Sequence, residues 1–274
     1  MNSNGKTLSI TGPGLASGHT ATVVLYQGNA GHCWFTADSY PILGAGVNRP
    51  TLRAERMTVL QNGEQILRMP EHLAAATLCW PQSALCIHAP QGEVPLRDGS
   101  AAPWFTDLQA LLGAPQELHF YDCPLQSSWD YGFGYCAVEP NPERGLVIEA
   151  SLSRGEYSDA GTFCIQTTQD LLPILQARTF IFSDDWESLR AKGMLPGALE
   201  GCGILLQAQG SNLRVLSGAP LRHSQEPLLH KILDLLGDLA LLGPHLPKLR
   251  IRIHNGGHAV HHQLIERIQN YVPD

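Results

Sequence analysis

Apolar residues crowd most densely between Leu228 and Leu242, where Leu228-Leu229-His230-Lys231-Ile232-Leu233-Asp234-Leu235-Leu236-Gly237-Asp238-Leu239 leaves little polar surface. Ser224 as cap, Glu226 in the first turn and Pro227 beside it read as a helix start. The near-continuous apolar run that follows predicts a helix buried on most sides. Yet His230, Asp234 and Asp238 recur every fourth residue and therefore share one stripe of it. Burying two carboxylates and an imidazole is costly unless they are paired or bind a metal. Two explanations stand at this point: a structural His–Asp hydrogen bond, or half of a metal site, since residues four apart on a helix reach one ion.

The rest of the chain alternates between the two periodicities. From Lys6 to about Thr36 it reads as strand, turn at Thr11–Gly18, and a β-rich run over Thr20–Tyr26. Neither a helix pattern nor a Lys follows that Gly-rich turn, so it reads as a plain turn rather than a phosphate loop. Residues 40–57, with spaced Pro and Gly, read as an irregular insertion. Arg68–Leu78 predicts a helix with Pro70 near its start, on which Glu71 and His72 lie about 100° apart. The pair addresses two parts of one pocket, unless Glu71 is an ordinary exposed first-turn acid. A buried strand over Ala84–Ala89, a loop at Leu96–Ser100 and a helix from Pro103 to Leu112 follow.

The stretch from Pro115 to Gly145, rich in Pro, Gly, Tyr and Trp, carries a domain boundary near residue 122, giving units 1–122 and 123–274. Beyond it the pattern predicts a strand over Gly145–Ser153 and a short helix over Asp170–Gln176 capped by Thr168 or Asp170. A strand at Arg178–Phe182, helical composition at Asp184–Lys192 and a strand at Gly203–Leu206 come next. Leu249–His254 alternates as a half-buried strand, and a final helix runs from about Ala259 to Gln269.

Composition narrows the function classes. A chain of 274 residues with 43% hydrophobic and 16% charged content is a globular protein with a sizeable core. A net charge of −7 with only 18 Lys+Arg argues against nucleic acid or an anionic membrane as the main partner. Seven cysteines, an odd number without C-x-x-C spacing and partly inside apolar runs, read as reduced buried thiols of a cytoplasmic protein. No signal-peptide core and no membrane span is expected. The pattern sets no oligomeric state.

Five pieces then stand in order: Glu71-His72, Asp98-Gly99-Ser100, Arg178-Thr179-Phe180, His230-Lys231-x-x-Asp234-x-x-x-Asp238, and Gly256-Gly257-His258. As an ordered set they resemble the zinc-dependent UDP-3-O-acyl-N-acetylglucosamine deacetylases of lipid A synthesis (LpxC), over about Ser9 to Ile268. The resemblance implies an α+β fold of two domains of like topology, each a sheet layered on helices, with the active site between the helix layers. It implies that His72, His230 and Asp234 hold one Zn²⁺, leaving a fourth position open as in catalytic sites. Glu71 matches the general base toward the attacking water, and Thr179 the oxyanion-stabilising threonine. His258 matches the second acid/base group, which Asp238 holds charged and oriented. Lys231 adds positive charge near the reacting centre or the substrate phosphates. The resemblance places Phe180 and Phe182 on the acyl-chain side, where the alternative for an aromatic in a strand is a core position, and a β–α–β insert at about 178–206 forms the chain's passage. Asp98 braces a loop.

Departures from the family pattern concern the substrate-facing frame. Ala16 stands where the family's early turn carries His, Asn255 where a basic residue precedes the small-Gly-His motif, and Leu229 where Arg is common. Pro196-Gly197-Ala198 replaces a Gly-Gly-Ser segment. The expected partner is thus a small amino-sugar, with the nucleotide-linked, acylated form as first candidate. A paralogue acting on another N-acyl sugar or metabolite is the alternative, and a catalytically silent binding protein the third reading.

Overall fold

The computed structural model describes residues 6–29, 31–37, 40–44, 51–54, 56–132, 134–191 and 201–272. Pro196-Gly197-Ala198 lies outside them. The first half runs β1 (Thr7–Pro13), β2 (Thr20–Gln27), β3 (His32–Phe35), β4 (Pro41–Leu43), β5 (Thr51–Ala54), β6 (Thr58–Asn62), β7 (Gln65–Arg68), α1 (Glu71–Thr77), β8 (Leu85–His88) and α2 (Ala102–Leu112). Its main sheet has the order β1-β2-β8-β3-β4, with only β3 and β8 parallel. In β2 the alternation is complete: Ala21, Val23 and Leu25 are buried while the residues between them are not. Residues 40–57 are not irregular throughout. They contain β4 and β5, and β5 joins β6 and β7 in a small antiparallel sheet. Strands of three or four residues are too short to show a period, which is why the pattern hid them.

The second half comprises β9 (Phe120–Asp122), β10 (Ser127–Tyr131), β11 (Gly134–Pro140), β12 (Leu146–Arg154), β13 (Tyr157–Ile165), α3 (Thr168–Leu175), β14 (Phe180–Phe182), α4 (Ser183–Ala191), β15 (Ile204–Gln209), β16 (Asn212–Ser217), α5 (Glu226–Ala240), β17 (Leu246–His254) and α6 (His258–Ile268). The main sheet has the order β10-β11-β17-β12-β13, with β9 alongside the first residues of β17. On β17, Leu249, Ile251 and Ile253 face the core, while Arg250 and Arg252 pair with Glu139 and Glu149 on the outer face. A second small sheet, β14-β15-β16, includes the parallel β14–α4–β15 unit expected near 178–206.

Helices of the two halves meet in the middle. α1 packs on α5, α2 and α3 flank them, and α6 lies beside α5. The fold is α+β in two domains, with helix layers facing each other between the sheets. Two capping expectations need correction. Gln225, not Ser224, precedes α5 and makes no side-chain cap bond. At α3 the cap is Thr167, in a capping box with Asp170 three residues on. Burial of the thiols is uneven: Cys79, Cys123, Cys136 and Cys202 are buried, whereas Cys164 is exposed. Among the described residues no helix is long and apolar enough to cross a membrane.

Candidate active site

Residues from both domains converge where α1 meets α5. Met69, in left-handed backbone (φ 61°), turns the chain so that Glu71 and His72 open α1. They are only 2% and 4% exposed, so Glu71 is not an ordinary surface acid. From α5, one turn apart, come His230 and Asp234. Asp234 Oδ1 stands 3.3 Å from His230 Nε2 and 3.6 Å from His72 Nε2, and the three ligand atoms all lie within 4.8 Å of one another. Tetrahedral zinc with bonds of ~2.0–2.2 Å sets its ligand atoms ~3.3–3.6 Å apart. The trio therefore has the donor set and spacing of a divalent-metal site, which is more than a structural His–Asp pair requires.

Protonation agrees with that donor set. His230 Nδ1 donates to the Ala177 carbonyl at 3.1 Å, which leaves the Nε2 lone pair facing Asp234. Burial, only partly opposed by Asp234, lowers the His230 pKa to about 4, so the ring is neutral. Burial would raise the Asp234 pKa, but His230, His258 and Lys231 hold it far below the carboxylate range.

Opposite the trio stand two groups suited to proton transfer. Glu71 Oε2 is buried without a hydrogen-bond partner among the described residues, and Oε1 lies 3.6 Å from His258 Nε2. Burial raises the Glu71 pKa despite His258 and His72 nearby. His258 opens α6, and its Nδ1 lies 2.8 Å from Asp238 Oδ2. Burial alone would lower the His258 pKa; Asp238, Asp234 and Glu71 outweigh it and push it up to about 10. The ring is cationic at neutral pH, facing a carboxyl. Asp238 also accepts from His261 Nδ1 at 2.8 Å and from the Thr58 hydroxyl, with His262 Nε2 at 3.8 Å. Sequence reasoning missed these three partners. His261 and His262 follow His258 by three and four residues and so share its helix face, a signal that the chain does carry. Thr58 carries none.

Thr179, Phe180 and Lys231 line the same cleft, which holds about 570 Å³. Thr179 is fixed by its backbone: its N–H donates to the Gly99 carbonyl at 2.6 Å and its carbonyl accepts from Ile204. Gly99 has φ 86°, and a Cβ there would run into the Cys202 carbonyl. Lys231 Nζ lies 5.4 Å from the Phe180 ring centroid and 3.7 Å from Asp234. Phe182 is 7% exposed, packs on Ile204 and Leu206, and borders a neighbouring recess rather than the cleft. Asp98 accepts from Ser100 and Arg222, bracing the Gly99 loop.

A buried ion pair anchors this wall. Arg178 Nε and Nη2 donate to Glu226 at 2.8 and 3.0 Å, joining the residue before Thr179 to the start of α5. The departures also acquire reasons. Asn255 occupies left-handed backbone (φ 48°), and its side chain turns to Ser153, accepting from its N–H at 2.8 Å. Ala16 sits in a turn whose N–H groups are held by the buried Glu93 carboxylate. Leu229 is 4% exposed, packed in the core.

Comparison with known proteins decides the family. The model of the UDP-3-O-acyl N-acetylglycosamine deacetylase family matches residues 4–270. The chain belongs to this family. Curated UDP-3-O-acyl-N-acetylglucosamine deacetylases from Synechocystis sp. and Thermosynechococcus vestitus are 30% and 28% identical to it. They cover 95% and 94% of this chain, which spans 95% and 90% of their lengths. A Shewanella loihica relative of the same name is 28% identical over 94% of this chain and 86% of its own. The family's chemistry is N-deacetylation of a small molecule, and the cleft at the α1–α5 contact is where this chain gathers His72, His230 and Asp234, which could hold a metal ion, beside Glu71 and His258.

Proposed function

We propose that the protein is a zinc-dependent hydrolase that removes the N-acetyl group of UDP-3-O-acyl-N-acetylglucosamine. The observation that carries this reading is the buried Glu71 oxygen, without a hydrogen-bond partner among the described residues, in one cleft with the His72–His230–Asp234 trio and cationic His258. Zinc held by the trio would polarise the acetamide carbonyl and lower the pKa of a water ligand to near 7. Glu71 takes the proton of the attacking water as its oxygen adds to the carbonyl carbon. The Thr179 hydroxyl donates to the oxyanion that forms. As the C–N bond breaks, His258 gives its Nε2 proton to the departing nitrogen, and acetate and the free amine result. Asp238 keeps His258 charged through that step. Lys231 and Arg56, both on the cleft, supply positive charge for a substrate phosphate, and Phe180 an apolar wall for the acyl chain.

A second substrate, another N-acyl sugar, is favoured by one feature: the side chain of Asn255 is turned onto Ser153, where the family pattern has a cation. Acetate release from UDP-3-O-acyl-N-acetylglucosamine, measured beside unacylated and nucleotide-free analogues, separates the two. The expected result is zinc-dependent release that a Glu71→Ala variant loses by at least ~10²-fold, the scale of general-base catalysis. A Glu71→Ala variant as active as the parent, or activity unaffected by removal of all metal, would overturn the mechanism.

A further inference from the structure

We propose that Thr58 is a positioning residue that registers the two acid/base groups against each other. Its N–H and its hydroxyl both meet side chains of the site, and its carbonyl holds the turn that leads into α1. Its N–H donates to Glu71 Oε1 at 3.4 Å, and its carbonyl accepts from Met69 N, in the turn that launches α1, at 3.0 Å. Its hydroxyl donates to Asp238, and its Oγ lies 3.0 Å from both His258 Nδ1 and His262 Nε2. The residue is fully buried. β-propensity explains a threonine at the start of β6, but not a hydroxyl buried among a carboxylate and two imidazoles.

Proton counting fixes the direction of each bond. A hydroxyl carries one hydrogen and two lone pairs, and an ionised carboxylate only accepts. The Thr58 hydrogen therefore goes to Asp238, and its oxygen accepts from His262 Nε2–H and, shared with Asp238, from His258 Nδ1–H. That leaves the Nε2 edge of His258 turned toward Glu71, 3.6 Å away. Thr58 and Glu71 belong to the first domain, whereas Asp238, His258 and His262 belong to the second. Thr58 thus ties the Glu71 side of the cleft to the His258 side across the domain contact, acting on the reaction through the other two groups.

This inference rests on the proposed deacetylation, and the experiment separates the two. Thr58→Ala and Thr58→Ser are assayed as zinc-loaded proteins on UDP-3-O-acyl-N-acetylglucosamine. Thr58→Ala should lose kcat by roughly 10–100-fold, the scale of an ångström-sized misplacement, with KM and chelator-competed zinc affinity unchanged. Thr58→Ser should recover kcat to within about threefold, because it keeps the hydroxyl. The Nδ1–H proton resonance of His258, assigned by its absence in His258→Gln, should shift in Thr58→Ala and stay in Thr58→Ser. Should the alanine variant not fold, Thr58→Val fills the space without the hydroxyl and carries the same expectation. Full kcat in the alanine or valine variant, or equal losses in alanine and serine variants, overturns the proposal. If the parent protein releases no acetate, the function reading fails, and the resonance alone then decides whether Thr58 holds His258.

Discussion

Gly237 sits in the last turn of α5, after Leu235 and Leu236, where a helix former would ordinarily be preferred. A Cβ built there would overlap the Glu71 carbonyl oxygen and stand 2.7 Å from its carbon, with the Glu71 Cα at 3.0 Å. Carbon contacts are comfortable only at ~3.5–4.0 Å, so Gly237→Ala requires α1 and α5 to separate. The obstructing atoms are backbone and cannot swing aside as a side chain could. Overpacking of a tight core costs about 1–3 kcal/mol, and the backbone obstruction argues for the upper end. Alanine returns about 1 kcal/mol through its higher helix propensity. The net expectation is a loss of about 2 kcal/mol, or about 4–8 °C in Tm for a chain of this size. Because the displaced segment carries Glu71 and His72, kcat should fall further than stability suggests, by up to about 10²-fold. Thermal melting and steady-state acetate release on the same samples test this. A Gly237→Ala protein with unchanged or raised Tm would show that α1 and α5 do not approach as closely as the chain's packing implies, and the steric case for glycine at this position would fall.

Three further outcomes are expected. Glu226→Gln leaves the nearly buried Arg178 guanidinium without its carboxylate and should destabilise the fold by about 3–5 kcal/mol at neutral pH, read by denaturant titration. Burial would raise the Glu226 pKa, but Arg178 and the Arg178 and Arg222 N–H groups hold it below the ordinary value. Its stabilisation is therefore complete above the unfolded-state pKa near ~4.3 and fades as pH falls toward the folded one. The variant should show a shallower acid slope, and an unchanged slope would refute the assignment. Zinc at about 100 times its Kd should stabilise the parent by about 2.7 kcal/mol, and His230→Ala should abolish the shift; equal shifts in both would place the metal elsewhere. Lys231→Ala should raise KM for a phosphate-bearing substrate more than for a phosphate-free analogue, and an equal effect on both would exclude phosphate contact.

What could be read from the chain followed contrast against background. A His and two Asp spaced by four stand out in a leucine-rich helix, and the structure buries all three. In the same way, β2 and β17 advertise themselves because each has one buried face and one polar face. β4, β5 and β9 are three or four residues long and offer no period to detect. β10 and β11 lie in a Tyr-, Trp- and Gly-rich stretch whose pattern marks only a domain boundary, yet they extend the second sheet through the pairing of β11 with β17. The least legible site residue is the one whose type suits its element. Threonine belongs in a strand for steric reasons alone, so nothing in β6 marks Thr58 as the neighbour of Asp238 and His258. Asn255 misleads in the opposite direction. Set against the family pattern it is a lost cation, whereas the fold requires left-handed backbone there and an acceptor for the Ser153 N–H. A lysine or arginine at that position has no side-chain acceptor for the Ser153 N–H, although arginine itself occupies left-handed backbone at Arg56 and Arg97. What the asparagine contributes here is local: it accepts the Ser153 N–H and carries the left-handed turn into α6.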